Sequence, residues 1–131
     1  MRLSDEVADI SKPHFLIFIK LIKMKFIQEI KEYYPKYLSL HKNPICRLLH
    51  VAGQLATLST IALIIYGCMY WSLFWLLLTP VVPFVVYPFA WSGHFYFEKN
   101  KPAAFTKPIY AKICDWIMFF EILTFRIKFW K

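Results

Sequence analysis

Three of the four histidines in this chain stand where a metal ion could use them. His41 and His50 flank an Asn43–Pro44 pair, and His94 follows 44 residues after His50. Neutral imidazole ligates iron, zinc and copper. Three histidines, or two with a carboxylate, leave open positions on an octahedral ferrous ion for a substrate and oxygen. The competing reading gives each ring a local hydrogen bond, or a place beside Trp and Tyr at an interface. Ionisable groups inside a lipid-facing stretch favour function, so we take His41, His50 and His94 as candidate ligands. His14, beside Pro13, takes the structural reading. Glu98 could complete the metal shell, orient His94 from behind, or pair with Lys99 or Arg47; we carry it as the candidate catalytic residue. Arg47 could clamp a carboxylate or hold a lipid phosphate. Arg47, Lys99 and Asn43 are the candidate substrate-binding residues. Cys46, Cys68 and Cys114 are an odd, scattered set without CxxC spacing, so they read as buried reduced thiols.

For those rings to meet, distant segments must converge. Between Arg47 and Glu98 lie 50 residues without Lys, Arg, Asp or Glu. A membrane span needs about 20 apolar residues, so this block holds two spans and a short turn. In an antiparallel hairpin the start of the first span and the end of the second share one membrane face. His41, His50 and His94 then reach one level by topology alone. The first span reads as 44–66, opened by Asn43 as cap and Pro44 at the first helical position. Gly67 and Cys68 mark the turn. The second span, 70–92, contains Pro80, Pro83 and Pro88, which should kink or break it.

Around this hairpin we expect a polar arm over 1–12, loose or briefly helical. An amphipathic helix over 13–34 follows, which Pro35 ends or bends. A last amphipathic or spanning helix covers 109–131. His94 and Glu98 share a helix face if the helix continues past Gly93. Strand-like alternation is weak. The expected fold class is all-α: a single, small integral membrane helical bundle, 1–131, with a central transmembrane hairpin.

The composition agrees. Hydrophobic residues are 59% and aromatics 20% of 131 residues, with only 3 Gly, which excludes disorder and a glycine-built phosphate loop. The net charge is +8, nine Lys and Arg preceding the uncharged block and seven following it. With none at the hairpin tip, both ends are expected in the cytoplasm, in a bacterial inner membrane or the endoplasmic reticulum. The lysines flank apolar runs rather than forming one polar face, so lipid headgroups, not nucleic acid, are the expected partner. The apolar run after Lys12, broken by Lys20, Lys23 and Lys25, does not read as a cleavable signal peptide. A homo-oligomer is compatible with all of this.

Two motifs add a family likeness. Tyr37-Leu-Ser-Leu-His41-Lys-Asn43-Pro44 with Arg47 and His50, and Gly93-His94-Phe-Tyr-Phe-Glu98-Lys99-Asn-Lys-Pro102-Ala103, resemble the membrane family typified by the fungal 2-hydroxy fatty acid dioxygenase of phytosphingosine breakdown. The likeness covers about residues 30–125. It implies an Fe(II)-dependent enzyme of fatty acid α-oxidation that uses O2 to shorten a 2-hydroxy fatty acid by one carbon, with His41, His50 and His94 as the iron ligands. Two alternatives stand beside it: a non-catalytic lipid-binding membrane protein with structural histidines, and a zinc-dependent membrane hydrolase.

Overall fold

The computed structural model describes residues 3–128, which form helices and no strand. They divide into two compact units, with the boundary between Pro35 and Lys36. The first helix, α1 (Leu3–Ser39), crosses that boundary. It already includes most of the expected arm, and it runs through Pro35 for another turn. Proline removes one amide donor from a helix and crowds the carbonyl four residues before it. Here the consequence is a unit boundary rather than a helix end.

In the first unit, His14 to Gln28 are all exposed, and their large apolar side chains include Phe15, Phe18, Leu21, Ile22 and Met24. At about 100° per residue, Lys25 points away from Lys20 and Lys23. The charges therefore do not gather on one polar stripe.

The second unit opens with the last turn of α1 and carries the hairpin. Helix α2 (Pro44–Tyr70) starts as the residue types dictate: Asn43 is the cap, its side chain accepts from the Ile45 amide, and Pro44 follows. It continues past Gly67 to Tyr70, later than expected. Gly67 is not a turn residue but a notch: a Cβ there would lie within 2.2 Å of the Trp75 indole. At 1.5 Å per residue the 27 residues of α2 extend about 40 Å, more than a hydrocarbon core of about 30 Å. Cys46, Arg47, His50, Val51, Gly53, Gln54 and Thr57 form its buried stripe, while Leu48, Leu55, Leu58, Leu63 and Ile65 point outward.

The return segment is irregular where its prolines demanded it. A 3₁₀ segment spans Leu73–Phe84 and holds Pro80 and Pro83; helix α3 (Tyr87–Ser92) takes Pro88 in its first turn. A π-helical turn follows over Gly93–Glu98. No residue of the 3₁₀ segment is buried, though Leu73, Phe74, Leu76, Leu77 and Phe84 are all apolar. Both α2 and the run Leu73–Glu98 are long and apolar enough to cross a membrane. At the hairpin tip Tyr66, Tyr70, Trp71 and Trp75 form a ring cluster with centroid separations of 4.7 to 6.1 Å.

A short 3₁₀ turn (Ala103–Phe105) leads to α4 (Pro108–Leu123). Its buried residues, Ala111, Cys114, Asp115, Met118, Phe119 and Ile122, recur at helical spacing. The helix is about 24 Å long, shorter than the expected 109–131. It stops at Thr124 because Phe125 takes a left-handed φ of 56°. Residues 129–131 of that expected helix lie outside the described residues.

The hairpin depends on a close approach at Gly53, where a Cβ would meet Val86 Cγ2 at 2.9 Å and the Val86 carbonyl oxygen at 3.2 Å. Gly53→Val is expected to destabilise the protein by about 1–3 kcal/mol through overpacking, read as a lowered unfolding temperature in detergent micelles. An unchanged temperature would mean that α2 and α3 do not pack this tightly.

Candidate metal centre

A carbonyl in the last turn of α1 takes a histidine as its second donor. The Tyr37 carbonyl accepts from the Leu40 amide and, at 2.7 Å, from His41 Nδ1. That bond folds the His41 ring back over the helix end, stacked on Tyr37 with centroids 4.2 Å apart. The loop is held again by Arg47, whose Nε donates to the His41 carbonyl at 2.7 Å and whose Nη1 donates to the Lys128 carbonyl at 2.7 Å. His50 comes from the buried stripe of α2 and His94 from the π turn. The hairpin thus brings all three rings together: centroids are 4.6 Å apart for His41 with His50 and with His94, and 5.4 Å for His50 with His94.

The rings are buried, His41 at 0%, His50 at 5% and His94 at 2% exposure, and their protons are assigned by their partners. His50 Nδ1 faces Asp115 Oδ1 at 2.7 Å, and His94 Nδ1 faces Asn100 Oδ1 at 2.7 Å. A carbonyl, a carboxylate and an amide oxygen are acceptors only. Each Nδ1 therefore carries the hydrogen, and each Nε2 is left with its lone pair. Nε2 of His41 and of His50 is buried with no hydrogen-bond partner. Burial and the neighbouring His50 pull the His41 pKa down from 6.5 to about 2, so its ring is neutral at physiological pH. Buried lone pairs without donors are costly in a protein interior, and a metal ion relieves that cost.

A fourth donor stands with them. One ligand atom each from His41, Cys46, His50 and His94 lies within 4.8 Å of the others. Cys46 precedes His50 by one turn of α2. Gly93 makes room for it, since a Cβ there would sit 2.9 Å from Cys46 Sγ.

Asp115, from α4, organises the shell behind the rings. Besides His50, it takes the Tyr37 hydroxyl at 3.4 Å and the Gln54 amide. Asn100 plays the corresponding part for His94 and donates to the Leu40 carbonyl at 2.9 Å. Glu98 does not point its described contact at the rings. It accepts from the backbone amide of Asn43 and so ties the π turn to the start of α2. Lys99 closes the π turn with a left-handed φ of 54° and is exposed. Of the residues singled out from sequence, the structure gathers His41, His50 and His94 in one cluster. Asn43, Arg47 and Glu98 adjoin it as braces, and Lys99 lies outside it.

Sequence reasoning did not single out Cys46, Gln54, Asn100 or Asp115 for this site. Two signals existed: Cys46 and His50 share a face at i, i+4, and Asp115 interrupts the apolar stripe of α4. Nothing in the local sequence distinguishes Asn100 from an ordinary turn residue.

Beside the rings lies a cleft of about 360 Å³, its open mouth included. Val86, Ala90, Trp91, Ala103 and Ala111 give it apolar walls; Tyr37, the three histidines, Lys112 and Asp115 give it polar groups. Such a site can hold a cation among its polar groups, with apolar walls beside it.

Comparison with known proteins adds one match. A family model described as 2-hydroxy-palmitic acid dioxygenase Mpo1-like matches residues 27–127, which include both motifs. No curated protein and no solved structure matches.

Removing a partner of Nδ1 is expected to weaken metal binding without removing a ligand. Asn100→Ala should lower affinity about 10–100-fold, measured by competition with a chelator of known affinity. Unaltered affinity would mean that these oxygens do not set the proton positions.

Proposed function

We propose that this chain, which belongs to the Mpo1-like family, is a membrane-embedded Fe(II)-dependent dioxygenase that cleaves a 2-hydroxy fatty acid to a product one carbon shorter. One observation carries the reading: three buried imidazoles, each with its Nδ1 proton held by an oxygen, have ring centroids 4.6 to 5.4 Å apart, and Nε2 of His41 and of His50 has no partner. His41, His50 and His94 would hold the metal. Three nitrogen donors leave open positions, which suits non-haem iron and oxygen chemistry. Ferrous iron, when bound, supplies the Lewis acidity and the redox capacity for oxidative cleavage of the C1–C2 bond with O2.

The chain's own residues do the rest. Asp115, Asn100 and the Tyr37 carbonyl keep a proton on each Nδ1, so that no ring turns its N–H toward the ion. Glu98, anticipated as catalytic, acts in this reading by positioning, since it fastens the Asn43 amide beside the His41 loop. Arg47 and Asn43, anticipated at the substrate, likewise hold the loop and the start of α2. Lys99, exposed at the rim, meets anionic headgroups. The apolar walls exclude water and receive the start of the alkyl chain, where each buried methylene contributes about 0.8 kcal/mol. We place the hairpin across the bilayer with both ends of the chain on the cytoplasmic side, as the basic residues at both ends and none at the tip favour.

A second reading has its own support. Cys46 adds a soft donor, and a closed set of cysteine and histidine donors suits zinc, in a hydrolase or a structural site. Metal analysis of anaerobically purified protein separates the two. Iron is expected at about one ion per chain, lost in His50→Ala and His94→Ala, and chelation should abolish formation of the shortened product from 2-hydroxypalmitate under oxygen. Zinc alone, or a folded protein that holds no metal, would defeat the dioxygenase reading.

A further inference from the structure

Lys112 carries a buried ammonium that makes no hydrogen bond, at a cleft with apolar walls. It lies on α4, three residues before Asp115, and lines the cleft that the histidines face. Its Nζ is buried and has no hydrogen-bond partner among the described residues. Burial pulls its pKa below the ordinary 10.5, while nearby Asp115 pushes it back up. Asp115 makes no hydrogen bond to Nζ; its two oxygens take His50, Tyr37 and Gln54 instead. An ammonium removed from water and left unmatched is costly. The other cations near this end are engaged or outside: Arg47 donates to two carbonyls, and Lys99 is exposed. No other Lys or Arg lines the cleft.

We propose that Lys112 binds the carboxylate of the substrate and makes this site select free 2-hydroxy acids over their neutral esters and amides. The inference rests on the function proposed above but assigns a residue and a selectivity that it does not contain. It replaces Arg47 and Lys99 as the carboxylate-binding group. The arrangement is economical in chemistry: the hydrogen-bonding anion that the ammonium lacks is the head of the molecule whose tail would lie along the apolar walls. An ester or an amide would leave Nζ unmatched, so the penalty falls on the wrong ligand.

The test is equilibrium binding of 2-hydroxypalmitate and of its methyl ester to the intact protein in nanodiscs. The wild type should prefer the acid by roughly 10–100-fold, the range expected for a charge-assisted hydrogen bond. Lys112→Met should bind both compounds alike, at the wild-type affinity for the ester. Lys112→Arg should restore part of the preference. Metal content should be unchanged in both variants, and Lys112→Met should melt no lower than the wild type, because it removes an unpaired buried charge. In turnover, the Met variant should raise KM for the acid more than it lowers kcat. A wild type that does not distinguish acid from ester would overturn the proposal without any variant, and so would a Met variant that keeps the preference. Failure of the dioxygenase reading is separately visible: metal-free or inactive wild-type protein would show it, while the acid–ester comparison still decides the role of Lys112.

Discussion

The protons on three imidazole rings are the constraint to which the rest of this unit conforms. Rings with centroids 4.6 to 5.4 Å apart cannot all be charged in a dry interior, because like charges at that distance in low dielectric repel strongly. Nor can they be neutral with their tautomers left to chance. Each is fixed by an oxygen behind it, and each oxygen comes from a different place: the end of α1, the middle of α4, and the loop after the π turn. Three separate elements must therefore be in position before the site exists. That requirement explains why so much polar material is buried in a chain this apolar. Gln54, Asp115 and Arg47 are almost fully covered; Asp115 and Arg47 are hydrogen-bonded there, and Gln54 donates to Asp115.

The irregular return segment follows from the same demand. A regular helix from Tyr70 onward would carry its prolines at a cost of several unsatisfied carbonyls. The 3₁₀ stretch, the short α3 and the π turn distribute that cost instead. π turns are rare and recur at functional sites. This one carries His94 at its start and Glu98 at its end, so one widened turn sends one side chain to the rings and the other to the Asn43 amide.

The polar cluster sits at one end of a hairpin whose outer surface is apolar almost everywhere. In the function proposed above, a fatty acid would remain in lipid while its head reaches this polar cleft. The apolar walls there are formed by small residues as well as Val86 and Trp91, because Ala90, Ala103 and Ala111 leave room that larger side chains would fill.

Much of this was legible in the chain. The uncharged block between Arg47 and Glu98 announced a hairpin, Asn43–Pro44 announced a helix start, and the prolines announced a broken return. Hairpin topology was enough to bring His41, His50 and His94 to one level, because an antiparallel turn aligns the start of one span with the end of the next whatever the side chains are. Gathering them into one cluster also needed the His41 loop to fold back, which the sequence permits but does not establish. Helix ends were less legible: Gly67 looked like a turn but serves as a packing notch, and Pro35 looked like a stop but is passed. The partners that set the proton positions were not legible. Asp115 and Asn100 lie 65 and 6 residues from the histidines they hold, and periodicity within one helix says nothing about which side chain of another will face it. By itself the sequence determined the helices, the long uncharged apolar block and the level at which the rings meet, since these follow from local pattern and chain connectivity. Only the tertiary structure decided the tautomers, the bracing roles of Glu98 and Arg47 and the lone ammonium of Lys112, since each depends on contacts between elements that local pattern does not encode.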